Sequence, residues 1–482
     1  MGMTRTTSAN GREVDQDFLA ARLGRWAGGD GPLHRQLAAG ISRLVTSGEL
    51  HPGDRLPSER NLAVVLTVSR GTVVAAYDGL REHGVIERRR GSGTRVSGEA
   101  PMLARTAALR GEPLFEDVRV AVDLLKAIPR LQPRAREIVE GFRIPADAEM
   151  DNADPAGLPR LRERIAGLYR AEGLPTTRDD ILITSGAQQG LHILTTLLCR
   201  RADVVLAEET TWPGLVDAVQ QRGARVRPVP MDGQGLIVEA LADAIDHFRP
   251  VLVALNPHHH NPTGSRLSPA RRTALADLAG RSGAVVIEDR VAARLAFDGV
   301  VAPPLPVLAP SAPIVVVDSL SKWMWSQMRI GWVRADPVTI HRLRGLRVMQ
   351  DMFPGVPSQL LALDLLEDLD TLHRESVDAL RHGWLVLCRV VAEHLPDWRM
   401  REPRGGMSAW ARLPSGSASE FARFATRYGV AVAGGREFSV DGSDDAHIRL
   451  PFTAPEPGLA QGIRRLGAAW DAYLADGRGL AG

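Results

Sequence analysis

The chain has 482 residues, a formal net charge of +2 and 44% hydrophobic residues, which suits a globular chain of two or three domains. Two cysteines, Cys199 and Cys388, exclude a disulfide framework and a Cys-rich zinc site. No apolar run approaches the ~18 residues of a membrane span, and no secretory signal is visible, so a cytoplasmic protein is expected. The 59 basic residues include only two lysines, Lys126 and Lys322, so side-chain amine chemistry has two candidates; a guanidinium stays protonated and cannot substitute.

Residues 1–30 lack periodicity and read as a flexible tail. Leu33, Leu37, Ile41, Leu44 and Val45 then share one helical face, stopped by Gly48. Ser58 is placed to cap a short helix to Leu66, and Ser69-Arg70-Gly71-Thr72 opens a second one after a tight turn. Two such helices form a helix-turn-helix, whose second member would present Ser69, Arg70 and Thr72 to base edges. After Gly84 the period falls to two, through Arg88-Arg89-Arg90, a Gly91-Ser92-Gly93 tip and Thr94–Val96, as in a basic hairpin able to reach phosphates. A run of three arginines alone is more often a solvated face; the ordered combination is what is specific. Over residues 31–97 it closely resembles the winged helix-turn-helix of the GntR regulators. The resemblance implies binding to a double-stranded DNA operator, with Arg60, Ser69, Arg70, Thr72 and Gly93 as contact positions.

Residues 98–120 lack a sustained period and read as a linker, with the large domain over 121–482. Lys126 sits in its opening segment without acidic or phosphate-binding motifs around it, and reads as a surface lysine. From residue 181 apolar runs alternate with amphipathic stretches: strands at 181–184, 204–207, 251–255, 284–288 and 314–317, helices at 188–198, 213–222 and 269–282. This order predicts an α/β fold with a mostly parallel sheet, whose ligands bind beyond the strands' carboxyl ends.

The motifs lie at those ends. Ser185-Gly186-Ala187 opens a helix with small residues, which leaves amides free for a phosphate. Trp212 offers a stacking ring, Asn261 an amide and Asp289 a carboxylate. Ser319-Leu320-Ser321-Lys322, with Arg329 after it, supplies hydroxyls, an amine and a guanidinium. Pyridoxal 5'-phosphate needs such a set: a lysine for the Schiff base, an acid for the pyridine nitrogen and a phosphate cup. His258-His259-His260 has no second His/Cys cluster to complete a metal site, so no metal is expected, and one of the three is expected to line the pocket beside Asn261.

Over about residues 121–475 the chain looks like a fold-type-I aminotransferase-like domain. With the winged helix in front it resembles the MocR/GabR regulators, which bind pyridoxal phosphate and usually form head-to-tail homodimers. That resemblance implies an internal aldimine on Lys322, Asp289 at the pyridine nitrogen, Asn261 at the ring hydroxyl and Trp212 stacked on the ring. It also implies phosphate contacts from Gly186, Ala187, Ser319, Ser321 and Arg329, and a ligand carboxylate held by Arg449.

The sequence departs from the aminotransferases at two places. Their tyrosine shortly after the pyridine-binding Asp is missing, since Asp289 is followed by Arg290, Val291 and Ala292. The tyrosine that often precedes the Asp-Pro-x-Gly segment is also missing: Asp151-Asn152-Ala153 stands there. Without the phenol after Asp289 proton movement at the cofactor is less well controlled. The reading is therefore a transcriptional regulator that senses an amine, an amino acid or the cofactor itself. The alternatives are a working aminotransferase with an accessory DNA-binding arm, and a DNA-binding protein whose large domain serves only dimerisation.

Overall fold

The structure, a computed structural model, describes residues 13–23, 26–27, 32–46, 49–51, 53–82, 84–89, 93–97, 109–111, 114, 120–145 and 154–477. It divides into two compact units after Leu109.

Among the described residues the small unit holds four helices, Gln16–Leu23, Leu33–Thr46, Glu59–Val65 and Arg70–Glu82, and a hairpin of Ile86–Arg89 with Gly93–Val96. The helical face predicted over 33–45 buries Leu37, Ile41, Leu44 and Val45, whereas Leu33 at the helix start stays exposed. They pack with Leu62, Val73, Ala76, Tyr77 and Leu80 into one core. Ser58 Oγ accepts the Asn61 amide and so caps the third helix. The expected tail over 1–30 is in part structure: Val14, Leu19 and Leu23 are buried in the same core. With so few apolar residues, that first helix forms because it packs, not because its sequence is periodic.

The large unit is built on a seven-stranded sheet in the order 181–184, 331–334, 314–319, 285–289, 252–255, 204–208, 225–229. All neighbours are parallel except Gly331–Arg334, which runs antiparallel to both of its own. The inner parallel strands Leu252–Leu255 and Ile314–Ser319 are short, mostly apolar and buried throughout, as helix-covered parallel strands require. Arg225–Val229 was not expected: its alternating exposure and Pro228 suit only an edge, where a missing amide is tolerated. Toward the C-terminus a second sheet pairs Arg399–Met400, Ser408–Arg412, His447–Pro451 and Ala433–Gly434 antiparallel. It packs with the helices Leu369–His394 and Glu456–Ala475.

The large unit begins earlier than residue 121. Asp217 accepts the backbone amides of Arg110 and Gly111 at 2.8 and 2.9 Å, Arg110 Nη1 donates to Ser439 O, and Leu114 is buried against Phe438 and Leu125. The expected linker 98–120 is therefore partly fixed, and residues 98–108 lie outside the described residues. Among the described residues no helix is long and apolar enough to cross a membrane.

Candidate functional site

The strand Ile314–Ser319 ends on a 3-10 turn, Leu320–Lys322, which carries Lys322 to the carboxyl edge of the sheet. Ser319 Oγ accepts the Ser321 amide and lies 2.9 Å from both Ser321 Oγ and Ile330 O, so its hydroxyl holds the turn in shape. Lys322 Nζ donates to Ala127 O at 3.1 Å. Burial, with Arg449 and Arg329 nearby, lowers the amine to about 8, against the pull of Asp289.

Asp289 and Glu288 end the neighbouring strand and titrate in opposite directions. Burial pushes Asp289 up to about 6, opposed by the Val291 amide bonded to its Oδ1 and by the charge of Lys322. Burial also works against Glu288, but His258, Arg290 and Arg272 outweigh it and pull it down to about 2. Asp289 belongs to the site, whereas Glu288 belongs to a buried ion network that includes the Arg290–Glu172 pair.

The phosphate candidates converge. Gly186 caps the helix Ala187–Leu198 with φ 83°. Arg329 Nη2 donates to Ser185 O at 2.8 Å, and a Cβ on Gly186 would lie 2.6 Å from that nitrogen. Trp212 precedes the helix Pro213–Gln221, and its indole N–H donates to Gln188 Oε1 at 2.7 Å; Gln188 Nε2 in turn donates to Gly214 O. Gln188 thus ties the Trp212 ring to the first turn of the helix Ala187–Leu198. It directly follows the predicted Ser185-Gly186-Ala187 motif, but nothing local marks an amide as a brace for a residue 24 positions on.

Arg449 reaches the site from the second sheet and is 2% exposed. Its guanidinium lies 4.6 Å from the centre of the Phe438 ring. Its Nη1 donates to Asn261 Oδ1 at 3.4 Å and its Nη2 to Leu125 O. Burial lowers it to about 10, with Glu437 and Asp123 opposing. Its Nε is buried without a hydrogen-bond partner among the described residues. Lys126, read from the sequence as lacking an acidic partner motif, pairs with Asp123 at 3.1 Å.

His258, His259 and His260 are buried, and the partners of His258 and His260 belong to the scaffold. His258 Nε2 meets Glu288 Oε1 at 2.9 Å, and His260 Nδ1 meets Thr263 Oγ1 at 2.8 Å, which braces the Asn261–Gly264 turn from within. Burial lowers His258, His259 and His260 to about 3, 4 and 3. Among the described residues no three His, Cys, Asp or Glu side chains converge as metal ligands. Tyr169 is buried with its hydroxyl on Trp332, and Tyr428 and Tyr473 pack around Phe424, so no described tyrosine stands beside Asp289 or Lys322. Asp151–Ala153 lie outside the described residues.

The donor set fits pyridoxal phosphate. An amine and a carboxylate, each near enough for its charge to act on the other, lie at the ends of neighbouring parallel strands, and the side-chain-free Gly186 lies against a guanidinium. In the small unit, Arg60, Ser69 and Arg70 are exposed and Thr72 is half-exposed. Ser69 Oγ accepts the Thr72 amide and lies 2.9 Å from Thr72 Oγ1, so these two hydroxyls also cap the helix. Gly93 opens the second hairpin strand at φ 80°, and a Cβ there would lie 3.0 Å from Arg55 Nε. Arg90, Gly91 and Ser92 lie outside the described residues.

Comparison with known proteins agrees with both units. Residues 33–96 match the bacterial regulatory proteins of the gntR family, and residues 148–466 match aminotransferase class I and II. The chain is 30% identical to the HTH-type pyridoxine biosynthesis transcriptional regulator PdxR of Corynebacterium glutamicum, over 78% of this chain and 82% of that one. It is 28% identical to the HTH-type transcriptional regulator TauR of Rhodobacter capsulatus, over 95% and 99%. Among solved structures, the α-aminoadipate aminotransferase LysN of Thermus thermophilus, complexed with N-(5'-phosphopyridoxyl)-L-leucine, superposes with a TM-score of 0.70 at 26% identity, over 77% of this chain and 96% of that one. The chain therefore belongs to the MocR-type transcriptional regulators, a gntR-family DNA-binding domain fused to a class I and II aminotransferase domain.

Proposed function

We propose that the chain binds pyridoxal phosphate through Lys322 and changes its affinity for a DNA operator when an amine, an amino acid or the cofactor itself occupies the large unit. The observation that carries this reading is the position of Lys322. It is one of two lysines, and its amine is held near neutrality among Asp289, Arg329 and Arg449. When bound, the cofactor supplies an aldehyde that condenses with an amine. Lys322 would hold it, Asp289 would keep the pyridine nitrogen protonated, and Asn261 would meet the ring hydroxyl. Trp212 would cover the ring. Gly186, Ala187, Ser319, Ser321 and Arg329 would bind the phosphate, with Ser319 acting chiefly by shaping the turn. Arg449 would take a ligand carboxylate.

Arg60, Ser69, Arg70, Thr72 and Gly93 would face the operator, and a homodimer would present two such units to two half-sites. With no described tyrosine beside Lys322 or Asp289, proton transfer at the cofactor lacks a phenol, which favours sensing over turnover. The test combines absorbance and gel shift on the full chain. Pyridoxal phosphate should produce a visible band that Lys322→Ala abolishes, and amino acids should alter both band and operator affinity. Rapid, complete conversion to the pyridoxamine form would favour a working aminotransferase. Absence of any band would leave the large unit as a scaffold.

A further inference from the structure

The two cations at the centre of the site share one occupant. Lys322 donates to Ala127 O and Arg449 donates to Leu125 O, so both polar heads are held by carbonyls of a single short strap. The strap is anchored at its start. Val122–Asp123 pairs with Val430–Ala431, and Leu124 N donates to Ala431 O at 2.9 Å. Asp123 Oδ1 accepts the Leu125 amide at 2.8 Å, which sets the bend that turns the Leu125 carbonyl to Arg449. Beyond Leu124 the bonds that hold the strap in place include the two to Arg449 and Lys322, the groups a ligand would claim. The Leu125 side chain packs in the same small cluster as Leu114 and Phe438. Leu114 lies just beyond Arg110 and Gly111, whose amides rest on Asp217.

We propose that the segment from Val122 to Ala127 is a built-in competitor for the ligand carboxylate: an α-carboxylate that engages Nη2 of Arg449 competes with the Leu125 carbonyl for that nitrogen, and the loosened strap carries the change to Leu114 at the foot of the linker. The inference rests on the cofactor reading only for its ligand, since the strap contacts stand without it. Nη2 of Arg449 already donates to the Leu125 carbonyl, and a carboxylate brought to that nitrogen is the stronger acceptor because it is charged. Lys322, once joined to the cofactor, no longer donates to Ala127 O, so loading weakens the strap before the ligand arrives.

Deuterium exchange of the full-length protein tests this. After loading with pyridoxal phosphate, L-alanine should speed exchange of the Leu124–Ala127 amides about threefold or more, together with those at 110–114. Ethylamine, which lacks the carboxylate, should not. Unchanged exchange while absorbance shows L-alanine bound would overturn the proposal, as would equal acceleration by ethylamine. If pyridoxal phosphate produces no band at all, the cofactor reading fails, and the strap is then judged on the unloaded chain. There Arg449→Gln should speed exchange at Leu124–Ala127, and an unchanged rate would overturn the proposal.

Discussion

Gly186 has no side chain at the point where Arg329 comes closest: a Cβ there would lie 2.6 Å from Nη2 of the guanidinium. The glycine also adopts φ 83° with ψ 167°, a conformation that costs other residues roughly 1–3 kcal/mol. Gly186→Ala should therefore move Arg329, weaken cofactor binding by about tenfold, and lower the melting temperature by a few degrees. Titration of the visible band against pyridoxal phosphate checks this. An unaltered titration would remove the Gly186–Arg329 contact from the phosphate site.

Loading should depend on pH through Lys322. Only the neutral amine attacks an aldehyde, and burial beside Arg449 and Arg329 brings this amine down to about 8. The loading rate should climb about tenfold per pH unit up to that value and level off above it. Stopped-flow absorbance from pH 6 to pH 10 gives the profile; a plateau reached only near an ordinary lysine value would show that burial and the two arginines do not lower the amine.

His259 is buried, its Nδ1 lacks a hydrogen-bond partner among the described residues, and burial holds it down to about 4. Its unfolded value is higher, so its contribution to stability is intact above about 6.5 and is lost as pH falls toward 4. Buried carboxyls such as Glu208, raised to about 8 by burial, act in the opposite sense, losing stability as pH rises from the ordinary glutamate range to that value. The clean observable is a difference. Relative to the wild type, His259→Gln should gain about 1.4 kcal/mol per pH unit between about pH 6 and pH 4. Parallel denaturant melts read it directly, and a constant offset between the two proteins would refute the assignment.

Arg70 stands exposed at the start of the helix Arg70–Glu82, where the Ser69–Thr72 contact caps the first turn. If Arg70 reads a base, Arg70→Ala should cost about 1–3 kcal/mol of operator affinity and relax specificity at one position. Arg60→Ala should instead weaken binding to all sequences and lower the salt dependence, as expected for a phosphate contact. Gel shifts on the operator and on scrambled DNA, at two salt concentrations, separate the two roles. Equal losses on both DNAs for Arg70→Ala would make it a backbone contact.

Much of this protein was legible in its chain. Local signals are strong where a residue acts through its own backbone position. Examples are the Ser58 cap, the small residues opening the helix at Gly186, and the short β-branched strands that end on Asp289 and Ser319. Lysine scarcity left few places for an amine. The edge strand Arg225–Val229 was hidden because charged residues and a proline suit an edge but resemble a loop. The helix Gln16–Leu23 was hidden because its stability comes from neighbours distant in sequence.

What only the tertiary structure decided is who occupies whom. Gln188 braces Trp212 through a side chain that could have pointed to solvent. The carbonyls of Leu125 and Ala127 hold Arg449 and Lys322, and a carbonyl is present at every residue, so no side-chain pattern announces it. Asp217 takes the amides of Arg110 and Gly111 across more than a hundred residues of chain. Residue type specifies which chemistry is available at a position. Partnership, and with it burial and titration, is set by which strand ends and segments the fold brings within hydrogen-bonding distance.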